Sequence, residues 1–166
     1  MLAVQWVCDI IQTVMGLTDD QIWIYNQKKP IPNSAGLFVV VGIVDAKPYA
    51  VNVRNLGVSK EVRSVHMRET IGIDLFSSDL SAATQVAQLV GSLNSTYSAQ
   101  VQEQYGFKIA SVPQAVNNTS ELEGSAMLTR FTVTTVLLTA YEYDTTPIEY
   151  YNTFSLKTYS EEGQES

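Results

Sequence analysis

Residues 61–76 read EVRSVHMRETIGIDLF. Val65, Met67, Ile71, Ile73 and Leu75 occupy odd positions, while Ser64, His66, Arg68, Thr70 and Asp74 alternate with them. A period of two held over more than ten residues is the pattern of a long strand with one face buried, because successive side chains in a strand point to opposite sides. Residues 127–143, MLTRFTVTTVLLTAYEY, form a second and longer candidate, rich in the Thr, Val, Phe and Tyr that suit a pleated surface. Both exceed the five or six residues of an ordinary strand. Strands that long in a small domain often continue into a neighbouring subunit's sheet.

Around this pair the rest of the chain falls into place. Leu2, Trp6, Val7, Ile10, Ile11, Val14 and Met15 recur at spacings of three and four, which predicts an amphipathic helix over residues 2–15 ended by Gly16. Residues 21–25 (QIWIY) predict a short strand, and the Pro-containing stretch 26–34 a long exposed loop. Residues 37–44 (LFVVVGIV) are apolar on both faces, as in a central strand, and residues 49–54 are expected to pair with them across a turn at 45–48. Ser78 or Asp79 is positioned to cap a helix running to about Leu93, with Leu80, Ala83, Val86, Ala87 and Val90 as its inward stripe. A further helix is expected over 96–105, stopped by Gly106. A strand over 107–116 interrupted by Pro113, a polar turn at 117–124 and a last strand at 153–159 complete the reading. The order predicts an α+β fold, a mostly antiparallel sheet with long strands flanked by two or three helices, able to form a ring. Residues 1–159 make one domain and 160–166 a flexible acidic tail.

Composition narrows the function. Charged residues are only 16% of the chain against 45% hydrophobic. The average charged fraction is about 25%, so some outward-facing surface is expected to be covered by partners. The net charge of -7 and a longest basic run of Lys28-Lys29 argue against a duplex-gripping protein, which needs clustered cations to displace counterions. An acidic wall that lets DNA slide past fits better, and the strand over 61–74 is the candidate for a surface near such a channel. Cys8 is the sole cysteine and is expected to act as a small apolar residue of the first helix. The opening MLAVQW lacks the basic segment and long apolar core of a signal peptide, which predicts cytoplasmic synthesis. No stretch approaches the roughly 20 apolar residues of a membrane span.

Catalytic chemistry finds little support. His66 is the only histidine, set mid-strand beside Ser64 and Arg68, where a solvated or interface role is the plainer reading than proton transfer. One Cys and one His cannot supply the three or four soft ligands of a zinc site. The glycines form neither a P-loop nor a G-x-G-x-x-G run. Carboxylates at 61, 69, 74, 121, 123, 142 and 144 lack a metal-loop spacing and are ordinarily solvated. No cofactor is expected. Trp23, Tyr25, Tyr141, Tyr143, Tyr150 and Tyr151 lie where a base-stacking platform would also need cations, so core and subunit interface is the better account.

The segment IWIYNQKKPIPNSAGLFVVVGIV, residues 22–44, resembles the N-terminal signature of tailed-bacteriophage neck and tail-terminator proteins. The shared features are a helix, a short strand ending in Asn-Gln, a Pro-containing loop, and an apolar strand opening with an aromatic. The resemblance extends to the long strand, the helix at Asp79, the strand with Pro113, and the long strand carrying Tyr141 and Tyr143. It implies a structural virion subunit of the neck, assembled in the host cytoplasm. Six copies would form a ring that caps the tail tube, contacts the sheath if one is present, and joins the head connector, with DNA only passing through. The family's loop often carries arginine near its prolines, and here Lys28 and Lys29 stand there. Interface candidates are Lys28, Lys29, Pro30, Pro32, Glu69, Tyr141, Tyr143, Tyr150 and Tyr151. Alternatives are a small-molecule-binding or enzymatic α+β domain, or another tail or head-completion subunit.

Overall fold

The structure, a computed structural model, describes residues 3–25, 36–55, 61–110, 112–123 and 126–145. Helix α1 (Ala3–Met15) is followed by strand β1 (Ile22–Ile24) and two long strands, β2 (Phe38–Asn55) and β3 (Glu61–Ser77). Helices α2 (Ser81–Leu93) and α3 (Thr96–Tyr105) come next, then short strands β4 (Lys108–Ile109), β5 (Ala115–Asn118) and β6 (Glu121–Glu123), and the long β7 (Ala126–Thr145). The sheet runs β1-β2-β3-β7-β4, with β5 also on the outer edge of β7 and β6 paired to the start of β7. Only β1 and β2 run parallel, so the expected α+β fold with a mostly antiparallel sheet is the observed one.

The period of two in β3 does what it predicts. Ile71, Ile73 and Leu75 are fully buried against the helices, in one cluster with Val7, Ile10 and Ile11 of α1, Ala82, Leu89 and Leu93 of α2, and Val133 and Leu137 of β7. Each such side chain removed from water contributes about 1.5–3 kcal/mol. On the opposite face a smaller cluster forms from Trp23, Phe38, Val40 and Phe76.

Several expectations are corrected. The 45–48 stretch is not a turn, because β2 continues through it, paired to β3 from Phe38↔Phe76 to Asn55↔Glu61. Asp, Lys and Pro are accommodated by register shifts at Ile43/Asp45 and Pro48/Ala50, bulges in a strand whose outer edge needs no amide from Pro48. Leu80 and Ala87 are exposed rather than inward, whereas Val86 and Val90 of the expected stripe do pack against the core, beside the buried Ala82, Leu89, Ser92 and Leu93. The helix begins after Leu80, which leaves that residue outside the inward face. Its first turn is held by Asp79, whose Oδ1 accepts from Ser81 N at 2.7 Å, and by Ser77, whose Oγ accepts from Ala82 N at 3.0 Å. The single strand expected over 107–116 is two, β4 and β5, either side of Pro113. Gly106 ends α3 at a φ of 68°, as the sequence requires. The strand expected at 153–159 and the tail at 160–166 lie outside the described residues.

Candidate assembly surface

At about 3.3 Å per residue, the 17 residues of β3 extend roughly 55 Å, whereas a 13-residue helix at 1.5 Å per residue covers about 20 Å. The helices therefore cover only part of the sheet. Beyond Ile71 the partners are rows such as Val51–Val65–Tyr141 and Val53–Arg63–Tyr143, running across β2, β3 and β7. We call this extension the arm. On the side that the helices cover further along, it presents Val51, Val53 and Tyr143, which are 59%, 53% and 47% exposed, around Arg63, whose charge is held by Glu61. The other side is polar, with rows Asn52–Ser64–Glu142 and Arg54–Val62–Asp144. An apolar face left open on a long sheet marks an interaction site.

Where the core meets the arm sits Glu69, only 5% exposed and on the same face as Ile71. Its Oε1 accepts a hydrogen bond from the Tyr141 hydroxyl at 2.9 Å, while Oε2 has no partner among the described residues. Burial, and then that hydrogen bond, push the Tyr141 hydroxyl above its ordinary pKa. Thr135, buried on the same face, also has a hydroxyl without a partner among the described residues. Glu69 is thus engaged inside the subunit. On the open face Asp74 accepts from Arg130 Nη2 at 2.8 Å and from the Thr132 hydroxyl, and the Arg130 guanidinium lies 5.0 Å from the Phe76 ring centroid. With Glu61 paired to Arg63, none of the three carboxylates of the candidate channel strand is offered as a bare charge. Of the other interface candidates, Tyr143 is on the arm and Tyr141 bridges to Glu69. Lys28, Lys29, Pro30, Pro32, Tyr150 and Tyr151 lie outside the described residues.

His66 Nε2 lies 3.1 Å from Asn52 Nδ2 and 3.3 Å from Ser64 Oγ, and its ring packs on Tyr49 at 5.8 Å. These neighbours are neutral, unlike the carboxylate that orients a catalytic imidazole. The ring borders a shallow cleft of about 440 Å³ with Gln102, Phe107 and Leu138 among its walls. Among the described residues no group of three or more metal-ligating side chains converges, and no helix is long and apolar enough to cross a membrane. The thiol of Cys8, half-buried against the core, is pushed up to about 12 by burial and by the charge of Asp9.

The sequence matches the profile of the phage neck terminator protein family over residues 3–163, nearly the whole chain. The chain belongs to that family. No curated protein shows significant sequence similarity to it. As a neck terminator it is a structural protein of the phage neck and tail, associated with other tail and head proteins of the virion. The length of the strands is legible in the sequence, whereas the exposure of Val51 and Val53 at the end of the arm is not. The turn chemistry of residues 45–48 makes Val51 and Val53 look like half of a hairpin, whereas they are the far end of one continuous strand.

Proposed function

We propose that this neck terminator acts as a closed ring, of six subunits by family resemblance, that caps the tail tube and joins it to the head connector, with the sheath as a further neighbour if one is present. DNA passes through the ring without being held. The observation that carries the reading is the arm: a long sheet whose helix cover stops part-way, leaving Val51, Val53 and Tyr143 open on one face. Heterologous contacts between copies close into a ring when the rotation between neighbours permits. The mass of the purified protein in solution, followed by imaging, tests it. A sixfold mass and an annular particle are expected. A chain present as one copy in the particle, or as an isolated twofold dimer, would refute the reading.

A further inference from the structure

The two outer edges of the arm differ in charge. Among the described residues β1 pairs only with Val39, Val40 and Val41 of β2, so the rest of that edge has no strand beside it. On the far side β4 reaches no further along β7 than Leu138, and residues 139–145 have no outer partner among the described residues. Such edges present rows of amides and carbonyls able to pair with another chain. The β2 edge carries Lys47 and Arg54, with Asp45 against Lys47 at 3.0 Å, whereas the β7 edge carries Glu142 and Asp144.

We infer that the β2 edge over residues 50–54 of one copy pairs with the β7 edge over residues 140–144 of the next, head to tail. This rests on the ring reading and names its contact. Both strands run antiparallel to β3, so they are parallel to each other. A rotation about an axis along the strands preserves that direction and keeps each face of the sheet on its own side. Odd residues then neighbour odd ones. Tyr141 and Tyr143 fall beside Val51 and Val53 on one face, and Glu142 falls beside Asn52 and Asp144 beside Arg54 on the polar face. One alignment satisfies both faces at once. Twofold pairing of two β7 edges does not, since centred on Glu142 it would set that carboxylate against its own copy, and twofold pairing of two β2 edges leaves Arg54 without a carboxylate opposite it. Like charges set together across an interface are strongly disfavoured. Pro48 and the bulges beside it limit the pairing to the outer end of β2, where the register to β3 is regular again.

The test uses the full chain with Arg54→Glu, Asp144→Arg and the double substitution, all at exposed positions. Light scattering over a range of protein concentrations reads the half-assembly point. Each single change is expected to raise it by roughly tenfold or more, and the double change to restore it to within about threefold. In a Cys8→Ser background, Val53→Cys with Tyr143→Cys and a short bis-maleimide should give a ladder of linked copies, while either cysteine alone gives no species beyond a dimer. Rings that form and ignore the charge swaps, or a double variant no better than the singles, would overturn this contact and leave the ring reading standing. A wild-type chain that stays monomeric at every concentration would remove both.

Discussion

Tyr141→Phe removes one oxygen, and its cost depends on Glu69. In the wild type the hydroxyl donates to Glu69 Oε1 at 2.9 Å, while Oε2 is already without a partner among the described residues. The substitution leaves a 5%-exposed carboxylate with neither oxygen bonded by those residues. Leaving a buried acceptor unsatisfied costs about 1–3 kcal/mol, and more when it is charged, so about 2 kcal/mol is expected. For a chain of this length that lowers Tm by about 4–8 °C at fixed protein concentration. Glu69→Met removes the group that needs the hydrogen bond and keeps its bulk between Ala46 and Leu137, its neighbours in register on β2 and β7. Replacing a buried charge by an apolar side chain of similar size is often neutral or stabilising. In that background Tyr141→Phe should cost under about 0.5 kcal/mol, since the half-exposed hydroxyl can turn to water. The raised pKa of Tyr141 adds a second signature. A group whose folded pKa is raised contributes stability that is complete below its unfolded value and is lost as pH rises through the folded one. The gap between wild type and Tyr141→Phe should therefore be widest below about pH 10 and narrow above it. Urea melts of the four proteins at neutral and alkaline pH supply every number. An equal penalty for Tyr141→Phe with and without the carboxylate would refute the reasoning.

Cys8, with its thiol at about 12 against an ordinary 9.0, should hold about a thousandfold less thiolate at pH 8, so native alkylation should be slower than alkylation in denaturant by at least that factor, followed by mass spectrometry. Gly106→Ala places a side chain at a φ of +68° with nothing within 4 Å, so the cost is purely of backbone conformation, about 1 kcal/mol by denaturant melts, and fragment-free folding should persist. The purified protein should show no duplex binding tighter than about 10⁻⁴ M at physiological salt by anisotropy, because Lys47, Arg63 and Arg130 are each paired with a carboxylate of the same chain; salt-dependent micromolar binding would contradict this.

The long-range frame of the fold was legible wherever one face of an element is buried. Ile71, Ile73 and Leu75 announce β3 because burial enforces alternation, and Val7, Ile10 and Ile11 announce α1 for the same reason. Legibility failed where a local signal met a tertiary one. Asp45, Lys47 and Pro48 carry turn chemistry, yet sixteen paired positions on β3 carry the chain straight through them. In α2 the inward residues Val86 and Val90 are legible, while Leu80 looks apolar but precedes the helix and stays exposed. Glu69 reads as surface on any scale of polarity, and its burial depends on a tyrosine 72 residues away that no local pattern connects to it. The candidate surface was legible only as excess length: the sequence says that the strands are too long for their own core, and the structure says which side chains that excess leaves open.

The paired bulges of β2 have a consequence for how this chain can change in length. Along the strand Val39, Val41 and Ile43 share the helix side with Ala46 and Pro48, and then with Val51 and Val53, so the inward parity passes from odd to even and back. Each bulge is one surplus residue, and the two cancel. Loss of a single residue between 44 and 49 would invert everything distal to it, sending Val51 and Val53 to the polar side and Asn52 and Arg54 to the apolar one. Loss of one residue from each bulge would shorten the strand and leave the outer end in its original phase. Viable length variants of this segment should therefore come in steps of two, a parity rule that aligned sequences or a deletion library would reveal directly.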